Sequence, residues 1–243
     1  LSHGNVLFDA FYGIKKMGNL SEDDRFLSFL PISHSFERTI GYYLPIMLGA
    51  QIYYAENLDT LLDNAQEVKP TVIVSVPRLF EKIYGTIHEK LPQSNRIKQR
   101  LFHWALEIGN TYVNRKYIKK RNLGSMTTKN ALAHKLVFSK IHAKLGGHLR
   151  FFVSGGAPLS TKVNKFFWAV GIPILEGYGL TETSPAISTN NLEQVKFGSV
   201  GTLFEHLEVK LAPDNELLIK GPAVMQGYFG NPGATKKALF KGW

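Results

Sequence analysis

The chain has 243 residues, 44% hydrophobic and 20% charged, enough for one large domain or two small ones and unlike a disordered or fibrous chain. It contains no cysteine, which excludes disulfides, thiolate metal sites and a thiol nucleophile and fits the cytoplasm. The net charge of +10 is concentrated: residues 88–150 hold 14 of the 29 Lys and Arg but only two acids, Glu89 and Glu107, leaving 15 basic and 17 acidic residues elsewhere. That distribution argues against a uniformly basic nucleic-acid binder. It suits peripheral contact with an anionic membrane or an acidic ligand, and equally a solvated helical face.

Leu1 to Asn5 lacks the basic-then-apolar layout of a signal peptide, and no initiator methionine is present. Phe240 to Trp243 is a poor place to end a domain, so the chain reads as a piece of a longer protein. The longest apolar run, around Tyr42 to Tyr54, is interrupted by Pro45, Gly49 and Gln51, short of the roughly 18 residues of a spanning helix.

In chain order, short apolar runs predict strands at Phe26–Leu30, Gln51–Ala55, Thr71–Ser75, Leu149–Ser154 and Ile172–Glu176. Helical patterns separate them. One opens near Leu58 and ends before Pro70, and Pro77 starts another through Leu79, Phe80 and Ile83. The basic segment, at about 88–148, carries stripes at Leu101, Trp104, Ala105, Ile108 and Tyr112, and again at Ala131, His134, Phe138, Ile141 and Leu145. Asn122 to Thr128 is the loop between them, and Gly146-Gly147 ends the second. Ser160 is a candidate N-cap for a helix with Val163, Phe166, Phe167 and Val170 on its apolar face. Past about residue 200 the alternation of Leu207–Leu211, the turn Pro213-Asp214-Asn215 and the run Glu216–Lys220 predict an antiparallel hairpin. The expected class is α/β: parallel sheet layers with flanking helices over residues 1–200, followed by the start of a small β-rich subdomain at 201–243.

Two loops carry candidate chemistry. Ser154-Gly155-Gly156-Ala157-Pro158-Leu159-Ser160 follows a strand and precedes a helix, so its amides can approach a flat or anionic ligand. No Gly-Lys-Ser/Thr follows and the spacing is not G-x-G-x-x-G, so a tight strand-to-helix turn explains it as well. Glu176-Gly177-Tyr178-Gly179-Leu180-Thr181-Glu182-Thr183-Ser184-Pro185 again follows a strand. Ligands in open α/β sheets sit beyond the carboxyl ends of strands, so two such loops suggest one crevice. Tyr178 offers a ring face, Thr181 a hydroxyl and Glu182 a hard oxygen for Mg²⁺. A polar turn capping the next helix is the competing reading.

This second loop, with its Tyr-Gly-x-Thr-Glu pattern, resembles the signature of the adenylate-forming superfamily of acyl-CoA synthetases, luciferases and peptide-synthetase adenylation domains. The resemblance runs through the whole chain in order: Leu1–Asn5, Leu30–Arg38, Val76-Pro77-Arg78, Gly198–Gly201 and Gly221–Tyr228 each look like a segment of that family. It implies that Gly155, Gly156 and Ala157 border the adenine of ATP. By the same resemblance Tyr178 stacks on the adenine, Gly177, Gly179 and Leu180 shape its wall, Thr181 contacts the phosphates and Glu182 holds Mg²⁺. His34 would lie near the acyl carboxylate, though a histidine capping the turn after Pro31 is the blander account. Arg38 and Arg78 are expected to be structural, for instance as ion-pair partners. Ser33–Arg38 and the long basic helical segment resemble the long-chain fatty acid branch, with coenzyme A as acceptor.

The resemblance also implies that the phosphate loop precedes Leu1, that the ribose-binding Asp follows Trp243, and that a later mobile domain carries the catalytic Lys, so residues 1–243 alone are expected to have little or no activity. Two rival expectations are an acyl-AMP ligase serving a carrier protein and a non-catalytic membrane-associated acyl or nucleotide binder. The basic segment has no recognised nucleic-acid motif, and no nucleic-acid partner is expected.

Overall fold

The computed structural model describes all 243 residues. In chain order the elements are α1 (His3–Met17), β1 (Arg25–Ser28), α2 (Leu44–Leu48), β2 (Gln51–Tyr54), α3 (Leu61–Val68), β3 (Val72–Ser75) and α4 (Pro77–Lys90). There follow α5 (Arg96–Val113), α6 (Met126–Ala133), α7 (Ser139–Lys144), β4 (Phe151–Ser154), α8 (Thr161–Ala169) and β5 (Ile174–Tyr178). The chain ends with β6 (Ser188–Thr189), β7 (Thr202–Leu203), β8 (Glu208–Leu211), β9 (Leu217–Lys220) and α9 (Pro232–Ala238). π-helical turns at Glu37–Tyr43, Asn114–Ile118 and His134–Phe138 adjoin α2, α5 and α6.

Seven strands form one sheet in the order β2-β1-β3-β4-β5-β6-β7. The first five are parallel, whereas β5–β6 and β6–β7 are antiparallel. The hairpin β8–β9 forms its own two-stranded sheet. The central strands β3 and β4 are buried along their whole length, because helices cover both faces. Leu27, Ile73, Phe152 and Ile174 point into a cluster with Leu61 of α3, Phe80 of α4, Phe102 of α5 and Phe166 and Phe167 of α8. Their neighbours Phe26, Val72, Val74, Phe151, Val153 and Leu175 point the other way, against Ala10 and Met17 of α1, Ile40 and Leu44. This period of two on a doubly covered sheet is why the strands read as unbroken apolar runs.

The amino ends of three strands are tied by one polar network. Arg150, just before β4, donates through one nitrogen to both oxygens of the buried Asp24, at 2.7 and 2.8 Å. Thr71, just before β3, donates to the same carboxylate at 2.6 Å, and the Ser21 amide at 2.9 Å. Loss of Arg150 would leave the buried carboxylate without its cation, at a cost of about 3 kcal/mol. With this end locked, the carboxyl ends are left for loops.

The predicted strands and the main helices are present, with four differences. Helix α1 was not anticipated, because its buried face carries Asn5, Asp9, Ala10 and Gly13 while Leu7 and Phe11 are exposed. In the second basic helix Ala133 is buried where Ala131 was expected, since the π turn at His134–Phe138 inserts a residue and shifts the stripe before Phe138 and Leu145. Ser160 occupies the N-cap position of α8 but its side chain makes no capping bond. Arg38 donates to the Tyr43 hydroxyl at 3.1 Å, and neither it nor the exposed Arg78 takes part in an ion pair.

Two carboxyls lie buried in the layer under the site. Asp9 of α1 accepts from the Ala186 amide at 3.3 Å, and burial holds it well above the carboxylate range. Glu37, 1% exposed, accepts from the Ser28 hydroxyl and leaves Oε2 without a partner. Burial raises Glu37 from 4.5 to about 7, against the opposing hydrogen bond. Between those values the folded protein holds a proton that the unfolded chain has released, so this group's contribution falls as pH rises through the window and is constant above it. The Glu37→Gln variant should therefore gain on its parent by about 3 kcal/mol between pH 4 and pH 8. Urea unfolding at the two pH values checks this, since Asp9 slopes alike in both proteins; an equal gap at both would contradict it.

Candidate functional site

The loops following β1, β4 and β5 meet beyond the carboxyl ends of the sheet, around a cavity of about 310 Å³. The β1 loop supplies His34, Ser35 and Phe36. The β4 loop supplies Gly155 and Gly156, and β5 with the turn after it supplies Gly177, Tyr178, Gly179, Leu180, Thr181 and Glu182. The return strand closes the floor with Pro185, Ala186, Ser188 and Thr189. Every expected site residue except Ala157 therefore lines one cavity. Ala157 is exposed and does not line it.

The glycines are present for close approach. A Cβ on Gly155 would lie 2.9 Å from the Phe36 ring, so that ring packs directly on the loop backbone. A Cβ on Gly179 would lie 1.7 Å from the Pro185 carbonyl oxygen, and one on Gly177 3.1 Å from that of Ser188. After β5 the chain makes a short 3₁₀ turn at Thr181–Thr183 and returns as β6, pairing Tyr178 with Ser188. The Thr183 hydroxyl accepts from the Leu180 amide at 2.9 Å, which fixes that turn. Tyr178, 37% exposed, thus stands at a wall with its neighbours stripped of side chains.

Each polar group has a defined position. Thr181 and Ser35 hydroxyls lie 3.1 Å apart, joining the β1 and β5 loops. His34 is exposed, and its Nδ1 accepts from the Phe36 amide at 3.2 Å, so a neutral ring carries its proton on Nε2. Glu182 accepts at Oε1 from the Tyr228 hydroxyl at 2.7 Å, which raises the tyrosine above its ordinary range. The strap before Tyr228 is bonded to the same turn: Met225 N–H donates to the Glu182 carbonyl at 2.8 Å and the Ser184 hydroxyl to the Ala223 carbonyl at 2.7 Å. Asn5 of α1 donates to the carbonyls of Pro222 and Val224.

No group of three or more His, Cys, Asp or Glu residues in the chain is arranged to hold a metal. Glu182 is a single carboxylate with one oxygen free of protein donors, which fits a hard cation held mainly by substrate phosphates and water rather than by a protein cage. Sequence reasoning missed Ser35 and Tyr228 as contributors. Both lie in segments that resemble the family, Leu30–Arg38 and Gly221–Tyr228, but their contacts cross 146 and 46 residues. A larger groove of about 760 Å³, rimmed by Lys120, Lys165 and Lys196, lies toward the amino end of β5 beside Asn190 and contains none of these residues.

Residues 1–229 match the family model described as AMP-binding enzyme. The chain is 35% identical over 228 residues to the long-chain-fatty-acid–CoA ligase FadD15 of Mycobacterium bovis, covering 92% of this chain and 37% of the relative. It is 32% identical over 240 residues to long chain acyl-CoA synthetase 1 of Arabidopsis thaliana, covering 92% and 35%. The chain thus spans little more than a third of these relatives. The fold is that of an O-succinylbenzoate coenzyme A synthetase from Bacillus subtilis solved in complex with ATP and magnesium ion, with a TM-score of 0.66 at 20% identity over 100% of this chain and 42% of that one. With its site loops assembled beyond the carboxyl ends of the strands and the family model matched over residues 1–229, the chain belongs to the AMP-binding enzyme family.

Proposed function

We propose that the protein containing this chain activates a long-chain fatty acid with ATP, forming acyl-AMP as pyrophosphate leaves the nucleotide, and passes the acyl group to coenzyme A with release of AMP. The observation that carries the reading is the convergence of Gly155, Gly156, Tyr178, Thr181 and Glu182 on one cavity with His34 at its edge. In this reading Tyr178 stacks on adenine, while Gly155 and Gly156 offer a backbone wall free of side chains. Thr181, steadied by Ser35, donates to a phosphate oxygen, and His34 offers Nε2–H toward the acyl carboxylate. Glu182 would hold Mg²⁺, which supplies charge neutralisation as the carboxylate attacks the α-phosphorus. The residues act by holding two anions in line and screening their repulsion.

The names of the relatives support coenzyme A over a carrier protein as acceptor, and a ligase over a non-catalytic binder. Within the longer protein, residues 1–200 are proposed as part of the α/β body and 201–243 as the opening of a β-rich subdomain. The separate β8–β9 sheet supports that division, although β7 still pairs with the main sheet. The basic segment is proposed to bring a cytoplasmic enzyme against an anionic membrane. Its support is the run Arg115, Lys116, Lys119, Lys120 and Arg121 around the half-exposed Ile118, at the exposed end of α5. No helix is long and apolar enough to cross a membrane.

In the longer protein, Glu182→Gln should slow acyl-adenylate formation roughly 100-fold or more without lowering the melting temperature. Fatty acid-dependent ATP–pyrophosphate exchange reads the effect, and a fully active variant would sink the metal assignment. Neutralising Arg115, Lys116, Lys119, Lys120 and Arg121 together should weaken binding to phosphatidylserine vesicles at least about tenfold, given roughly 1 kcal/mol per basic residue at such a surface. Unchanged vesicle sedimentation would remove the membrane proposal and leave the catalytic one standing.

A further inference from the structure

We infer that Tyr228 is a positioning residue for Glu182, fixing how its carboxylate meets the cation carried by the nucleotide phosphates; this rests on the reading of Glu182 as the metal carboxylate. Glu182 is the only acid lining the cavity, so the direction of one carboxylate decides how well a cation is held there. Glu182 is half-buried and uses Oε1 to accept the Tyr228 hydroxyl at 2.7 Å, while no protein donor bonds Oε2. One oxygen is therefore spoken for, and the other is left without a protein donor.

Both members of the pair are held by their backbones. The Glu182 carbonyl accepts from Met225 N–H at 2.8 Å, and the Tyr228 amide donates to the Thr235 hydroxyl at 2.9 Å. Thr235 in turn donates to the Asn231 carbonyl at 2.9 Å, within the turn that starts α9. A rotation of the carboxylate would break the phenol bond, and a displacement of the phenol would strain this turn. The partner's chemistry also matters. No Lys or Arg pairs with Glu182. A phenol orients the carboxylate without adding positive charge, so the full negative charge remains for a cation; a lysine here would compete with it.

Removing a hydrogen-bond partner that orients a metal ligand typically weakens metal affinity 10–100-fold. The test uses the full-length protein and the variants Tyr228→Phe, Glu182→Gln and Thr235→Val. Free Mn²⁺ is counted by electron paramagnetic resonance in the presence of ATP, alongside the Mg²⁺ dependence of acyl-adenylate formation and the melting temperature. Tyr228→Phe should weaken Mn²⁺ binding about tenfold and raise the Mg²⁺ concentration for half-maximal rate by a similar factor. Its rate at saturating Mg²⁺ should stay near the parent's. Thr235→Val should shift metal affinity in the same direction by less, and Tyr228→Phe should add nothing in a Glu182→Gln background.

A Tyr228→Phe protein with a lower melting temperature but parental metal dependence would overturn the proposal, as would additive effects in the double variant. If Glu182→Gln weakens metal binding and Tyr228→Phe does not, this inference alone fails. If Glu182→Gln also leaves it unchanged, the underlying metal reading fails.

Discussion

The site depends on two stretches of backbone passing at contact distance, Gly179 on the way out of β5 and Pro185 on the way back. With a Cβ only 1.7 Å from the Pro185 carbonyl oxygen, no side chain can stand at residue 179 unless the return path moves. That approach lets β5 leave its parallel neighbours, turn through Thr181–Thr183 and pair antiparallel with β6. The same turn sets Tyr178 on one side of the crevice and Thr181 and Glu182 at its rim. A glycine here is a packing requirement, and the exposed aromatic wall is its consequence.

Around that turn the molecule divides its polar groups by end. At the amino ends of the strands, Asp24, Arg150 and Thr71 satisfy one another and close the sheet. At the carboxyl ends, donors and acceptors are left available to a ligand, while the layer beneath carries buried carboxyls at Asp9 and Glu37 with an unpaired oxygen each. Such groups lower stability where they are charged, and they lie against elements that form the crevice: Asp9 under Ala186, Glu37 beside Phe36. Binding loops set on a rigid parallel sheet, with the locked end remote from them, are a common division of labour in this class of fold.

Much of this was legible in the residues. Thr71–Ser75 and Leu149–Ser154 read as strands covered on both faces because β3 and β4, which lie within them, are buried throughout, and the two glycine-containing loops read as one crevice because both follow strands of this sheet. Hidden features share a physical cause: their signals are either inverted, too short or too remote. Helix α1 buries Asn5, Asp9 and Gly13 and exposes Leu7 and Phe11, the reverse of an amphipathic stripe. The π turn at His134–Phe138 breaks the 3.6-residue period within a helix that otherwise obeys it. Strands β6 and β7 have two residues each and show no alternation. The bond from Tyr228 to Glu182 joins motifs that carry no local mark of one another, so only the fold brings them together.

The central claim is that the crevice between the β4 and β5 loops receives the nucleotide. Its most direct test is a crystal structure of the longer protein with a non-hydrolysable acyl-adenylate analogue. The adenine should lie flat against Tyr178, its edge along Gly155 and Gly156, with the acyl carbonyl on the His34 side. An adenine seated elsewhere, for example in the lysine-rimmed groove beside Asn190, would contradict it.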